Sequence, residues 1–103
     1  MELRRERGVA TYITFPLIDV NGDAVSGVTG LDSEIDTWTN VLAPDGFTDC
    51  TNEASEIGGA GVYGLELTLN EMDNLYIYIQ VKSNEAKTQH ILIQTFIPTL
   101  AVE

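Results

Sequence analysis

Cys50 and His90, the single cysteine and the single histidine, are the two side chains that could pair as nucleophile and base. Such a pair needs a thiolate in a polarising, accessible setting, and nothing in the sequence around either residue supplies one. A lone cysteine in a strand-like segment reads as a small buried hydrophobe, and it excludes both an intrachain disulfide and a cysteine-based zinc cluster. Sixteen Asp and Glu could in number furnish an acid/base couple. Solubility already accounts for them, and catalysis needs groups that converge in a pocket. No catalytic residue is assigned, and the chain is read as not an enzyme.

Three other clusters carry chemistry. In DVNGD, Asp19, Asn21 and Asp23 alternate around Gly22, like the front of a calcium loop. An EF-hand loop wants its glycine sixth and a bidentate glutamate twelfth. Here glycine comes fourth and Gly30 stands twelfth, so a hairpin turn on Asn-Gly is the better account; Asp32, Glu34 and Asp36 leave a different divalent-ion site open. GGAG (Gly58, Gly59, Gly61) could cradle a phosphate only by feeding a helix N-terminus. It feeds an alternating strand instead, so its glycines serve a tight corner or bulge. Gly64, within that strand, leaves room for a neighbouring ring or backbone. Finally, Trp38, Tyr76 and Tyr78 could form an exposed platform for a sugar or a protein surface, or simply pack across strands.

The elements that hold these groups follow from period-two alternation. In residues 11–19, Ile13, Phe15 and Leu17 face one way and Tyr12, Thr14 and Pro16 the other; the proline predicts an edge strand or a bulge. Residues 28–39 hold a weaker strand around Leu31 and Ile35, which a single helical turn could replace, though the threonines and Trp38 favour extended chain. Ala43–Phe47 (APDGF) is a turn, with a short strand from Phe47 to Thr51. Tyr63, Leu65, Leu67 and Leu69 share a buried face opposite Val62, Gly64, Glu66 and Thr68. Asn70–Asn74 forms one helical turn capped by Asn70. Leu75, Ile77, Ile79 and Val81 point inward, with Tyr76, Tyr78, Gln80 and Lys82 outward. In the last strand, His90–Ile97, Ile91, Ile93 and Ile97 share one side and Leu92 and Phe96 the other.

Six or so short strands without a ten-residue helix predict an all-β fold, a small antiparallel immunoglobulin-like β-sandwich or a barrel. At 103 residues there is one domain, which buries about two-thirds of its unfolded surface. No apolar run approaches the roughly 20 residues of a membrane helix, and MELRRERG lacks the hydrophobic segment of a secretory signal. The net charge is −11, with no basic residue between Gly8 and Val81. Such a body repels phosphate and anionic membranes, so neither nucleic acid nor membrane is expected as a partner. Arg4, Arg5 and Arg7 form the exception. Residues 1–10 are read as a basic N-terminal arm, either solvated or docked on an acidic partner, residues 11–97 as the sandwich and 98–103 as a C-terminal tail.

The succession ITFPLID, VSGVTGL, EIGGAGVYGLELTLNEMDN, LYIYIQVKS and HILIQTF resembles a family of small β-sandwich virion proteins of tailed bacteriophages and prophages. The central phrase of that pattern is carried by Glu56, Ile57, Gly58, Gly61, Tyr63, Leu65, Leu67, Thr68, Glu71 and Met72. The likeness spans Thr11 to Phe96 and consists of apolar and turn residues. Asp32–Thr51 departs from it, being more acidic and less strand-like. The resemblance implies a non-enzymatic structural protein of the virion, such as a capsid decoration or cement protein, a head fibre, or a neck, tail or fibre-base adaptor. Separately, Trp38 and the tyrosines, with calcium at Asp19, Asn21 and Asp23, leave a virion sugar-binding module as an alternative. The resemblance also implies the major capsid protein or other virion proteins as partners, a multi-copy or homo-oligomeric state, and no cofactor. Arg4, Arg5 and Arg7 on the arm and Tyr76 and Tyr78 on an outer strand face are the expected partner-binding residues.

Overall fold

The structure, a computed structural model, describes residues 1–39 and 46–98. The first part of the turn expected over Ala43–Phe47 and all of the expected tail beyond Pro98 lie outside these residues. Eight strands form: β1 (Glu2–Glu6), β2 (Thr11–Pro16), β3 (Asp32–Trp38), β4 (Thr48–Asp49), β5 (Ser55–Ile57), β6 (Val62–Leu67), β7 (Tyr76–Lys82) and β8 (Gln89–Phe96). They make a five-stranded sheet in the order β1-β8-β7-β3-β4 and a three-stranded sheet in the order β2-β6-β5. Every pairing is antiparallel except that of β1 with β8. The runs β2-β6-β5 and β8-β7-β3 reproduce the B-E-D and G-F-C arrangements of an immunoglobulin-like sandwich. Among the described residues no helix is long and apolar enough to cross a membrane.

Alternation places the core between the sheets. Ile77, Ile79 and Val81 of β7 and Ile91 and Ile93 of β8 are fully buried, as are Tyr63, Leu65 and Leu67 of β6, with Ile13 and Phe15 of β2 nearly so. Burying each such side chain contributes roughly 1.5–3 kcal/mol before chain entropy is set against it. The Tyr63 hydroxyl is not left dry. It donates to Val25 O at 2.7 Å and accepts from Val28 N at 3.1 Å, which pins the 25–28 loop over the core. Pro16 ends β2 at the free edge of the three-stranded sheet, where its missing N–H leaves no ladder bond unmade.

Residues 1–10 are not a free arm. Leu3 packs against the core, and β1 adds to the open edge of β8 in register from Glu2 with Leu92 to Glu6 with Phe96. The ladder continues in bonds from Leu92 N to Met1 O and from Arg7 N to Phe96 O. One inward leucine and a row of otherwise unmade edge bonds outweigh the entropy of a basic terminus.

Three local expectations also change. The β6 strand ends at Leu67, and Leu69 is 57% exposed instead of buried. The turn that follows is capped by Thr68, not Asn70: Thr68 Oγ1 accepts from Glu71 N while Glu71 Oε1 accepts from Thr68 N. This is a reciprocal capping box. Met72 N closes the turn on Thr68 O and the Met72 side chain is buried. Likewise β8 ends at Phe96, so Ile97 is exposed. The inward position beyond Ile93 belongs to Thr95, whose hydroxyl hydrogen lies within reach of Asn74 O and Leu75 O.

The glycine run is a corner. Gly58, Gly59 and Gly61 have φ of 64°, 70° and 79°, left-handed values that glycine adopts without strain, and they link β5 to β6. The Glu56 carboxylate holds that corner to a second loop, accepting from Gly61 N and from Gly27 N at 3.0 Å each. Gly64 lies beneath the ring of Tyr12, into which any Cβ would run.

Candidate functional site

The outer face of the five-stranded sheet carries the densest set of functional groups. Register sets Trp38 beside Tyr76, Asp36 beside Tyr78 and Glu34 beside Gln80 across β3 and β7; Gln80 in turn faces His90 across β7 and β8. Partners in register project to the same face, so the outward set of three strands forms one band. Trp38 and Tyr76 stack with centroids 5.5 Å apart and planes 25° off parallel. Tyr78 meets Phe47 edge-on at 5.7 Å and His90 at 5.9 Å, and its hydroxyl lies 3.2 Å from His90 Nδ1.

Between these rings lies an open groove of about 210 Å³, lined by Asp36, Trp38, Phe47, Tyr78, Gln80 and His90. Asp36 is only 6% exposed. Gly46 N donates to its Oδ2 at 3.3 Å, so the chain leading into β4 covers the carboxylate from one side. Aromatic walls around a few placed polar groups are what ligand sites characteristically present.

Trp38, Tyr76 and Tyr78 therefore stand together, on the outer face that alternation predicts. Asp36, Phe47, Gln80 and His90 join them unforeseen. Their outward phase is readable from the strand pattern, but which residues sit side by side depends on a register between distant strands.

Cys50 and His90 are not brought together. Cys50 is buried among the core side chains, whereas His90 is exposed on the outer face. Burial, reinforced by the carboxylates of Glu71, Glu53, Asp49 and Glu34, pushes the Cys50 thiol up to about 12. It stays protonated and unreactive at neutral pH.

The Asp19, Asn21 and Asp23 set folds into its own turn. Asp19 Oδ1 accepts from Asn21 N at 2.8 Å and Asp23 N at 3.0 Å, while Gly22 N donates to Asp19 O. That Asx-type turn engages the first carboxylate with backbone. A different trio, Asp32, Glu34 and Asp49, has carboxylate oxygens within 4.8 Å of one another. The Lys82 ammonium lies 2.7 Å from Glu34 and 3.7 Å from Asp32 and already supplies positive charge there. Its hydrogen bond to Glu34 holds it above the usual lysine range.

Nor do the three arginines form one patch. Arg4 lies over the Phe96 ring, 5.6 Å from its centroid, in a cation–π contact. Arg5 turns back on its own backbone, donating to Arg4 O, and Arg7 pairs with Asp73 at 3.2 Å. Alternation along β1 sends neighbouring residues to opposite faces, so sequence adjacency is lost in space. No family model matches the chain, and no curated protein matches it.

Proposed function

We propose that this protein is a non-enzymatic structural component of a bacteriophage virion that decorates the capsid shell, docking on it through the outer face of the five-stranded sheet. The aromatic-lined groove among Trp38, Phe47, Tyr78 and His90 carries the docking part of this reading, since amphipathic rings around polar groups are what protein interfaces concentrate at their centres. The phage setting rests on the likeness of the strand and turn phrases to virion β-sandwich proteins. Many copies that bind the assembled lattice in preference to free subunits would stabilise the shell by mass action.

Co-sedimentation of the purified protein with empty shells lacking it tests the reading. Saturation at many copies per shell, lost in Trp38→Ala, is expected. Binding of only a few copies would move the protein to the neck, tail or fibre base. The stacked Trp38 and Tyr76 rings favour one second reading, a sugar-binding module, because stacked rings also suit pyranose faces. Absence of shell binding together with glycan binding that Trp38→Ala removes would establish it.

A further inference from the structure

We propose that the groove on the outer face of the five-stranded sheet takes the guanidinium of an arginine presented by a partner protein. The inference rests on the docking reading above and names the chemistry of its anchor.

The groove joins two features that together select a cation. Its walls are rings: Trp38, Phe47 and Tyr78 line it, with Phe47 set at 76° to Tyr78. Ring faces attract positive charge, and weakly hydrated planar guanidinium groups stack on them at little desolvation cost. Among the described lining residues the carboxylate is that of Asp36, more than nine-tenths buried. A hydrogen bond from the neutral Gly46 amide leaves the charge of that carboxylate unbalanced, and a buried charge without a counter-ion is costly.

No lysine or arginine of the chain stands at the position; His90, the base that lines the groove, has its Nδ1 3.2 Å from the Tyr78 hydroxyl, and the Met1 ammonium donates to His90 O. The chain holds five Lys and Arg in all. Lys82 is engaged by Glu34 and Asp32, Arg7 by Asp73, and Arg4 by Phe96. Arg5 bonds its own backbone, and Lys87 lines a separate hollow with Asp19 and Glu85. None pairs with Asp36. Further along β3 the next outward residues are Glu34 and Asp32, so the field beyond the groove has the same sign and draws a cation in.

Shape and bonding then separate arginine from lysine. A flat fork can lie between rings and donate to a carboxylate in the same pose, whereas an ammonium is a strongly hydrated point charge. A neutral sugar would use the rings but leave Asp36 uncompensated. A basic partner surface is also what an acidic body of net charge −11 would meet productively.

Trp38 is the single tryptophan and stands in the groove wall, so its fluorescence reports occupancy directly. The full chain is titrated with a short blocked peptide bearing one arginine. Parallel titrations use the same peptide with citrulline, the same peptide with lysine, and a neutral hexose. A saturable change with arginine is expected, weaker with lysine and about tenfold weaker with citrulline, in keeping with one charge-assisted hydrogen-bonded contact. Asp36→Asn keeps an oxygen for Gly46 N and removes the charge, and should weaken arginine binding by a similar factor. Phe47→Ala, at a ring that is 42% exposed, should weaken it several-fold.

Equal responses to arginine and citrulline, undiminished binding by Asp36→Asn, or saturation by the hexose instead of arginine would each overturn the proposal. Shell co-sedimentation with the same variants separates it from the docking reading. Shells that bind Asp36→Asn normally, alongside a silent arginine titration, remove the arginine pocket and leave decoration standing. Arginine binding by a chain that no shell captures does the reverse.

Discussion

The two sheets are alike inside and unlike outside. Both inner faces are packed with fully buried aliphatic side chains, Ile77, Ile79 and Ile91 on one and Leu65 and Leu67 on the other. Outside, the three-stranded sheet presents a row of Pro16, Val62 and Ile57 and a row of Thr14, Gly64 and Ser55. Its one aromatic ring, Tyr12, is spent covering the bare backbone of Gly64. The five-stranded sheet presents rings that contact one another and leave a groove between them. Burial requires only apolar bulk in phase with the strand, so the inner faces converge on one composition. Nothing in folding requires four aromatic and imidazole side chains to gather around a buried carboxylate, and the proposed docking site rests on that surplus.

Truncation on the inner faces should have the largest effect and should treat the sheets equally. Ile79→Ala and Leu65→Ala are each expected to cost about 2–5 kcal/mol in denaturant unfolding; a cost confined to one of them would break the equivalence. Next comes deletion of residues 1–7, which removes Leu3 from the core edge and bares the β8 edge. Roughly 2–4 kcal/mol should be lost, and an unchanged unfolding midpoint would return these residues to the status of an arm. On the outer face of the three-stranded sheet, Gly64→Val forces Tyr12 aside and should cost about 1–3 kcal/mol. Adding Tyr12→Ala to that variant should recover part of the loss, and strict additivity of the two changes would refute the ring-over-glycine contact.

The smallest effect at neutral pH belongs to the seam between the sheets, at Cys50. Its folded value of about 12 lies above the ordinary 9.0, so the unfolded chain releases its proton first. The contribution is fully present below pH 9 and is lost as pH rises from 9 towards 12. Cys50→Ala should flatten the alkaline limb of the stability profile, and native-state alkylation of Cys50 should be slow throughout neutral pH.

Much of this was legible beforehand where alternation is long. Residues 11–16, 62–67, 76–82 and 89–96 show their inner faces in the sequence, and Tyr76 and Tyr78 show the outer one. Where alternation is short or carried by a single residue, it fails. In ELRRE only Leu3 points to a core, and pairing with residues ninety positions further along the chain leaves no local mark. SEI is too brief to stand out beside the glycines that follow it. The cap at Thr68 is a different case: Thr-Leu-Asn-Glu is a capping-box phrase, visible in the sequence and outweighed there by the familiar cap residue Asn70. The groove itself has no linear signature. Phe47 and His90 meet Tyr78 only because β4 closes on β3 and β8 on β7.

The parallel pairing of β1 with β8 has a consequence for how the molecule answers force. Because the two strands run in the same direction side by side, a pull entering at residue 2 and leaving at residue 96 acts along both, from opposite ends. Such tension shears the whole ladder and must rupture its rungs together, whereas an antiparallel hairpin pulled at its open end parts one rung at a time. A protein anchored by one end and loaded by the other would thus meet stress with its strongest geometry, supplied by the segment that the sequence presents as a loose basic tail.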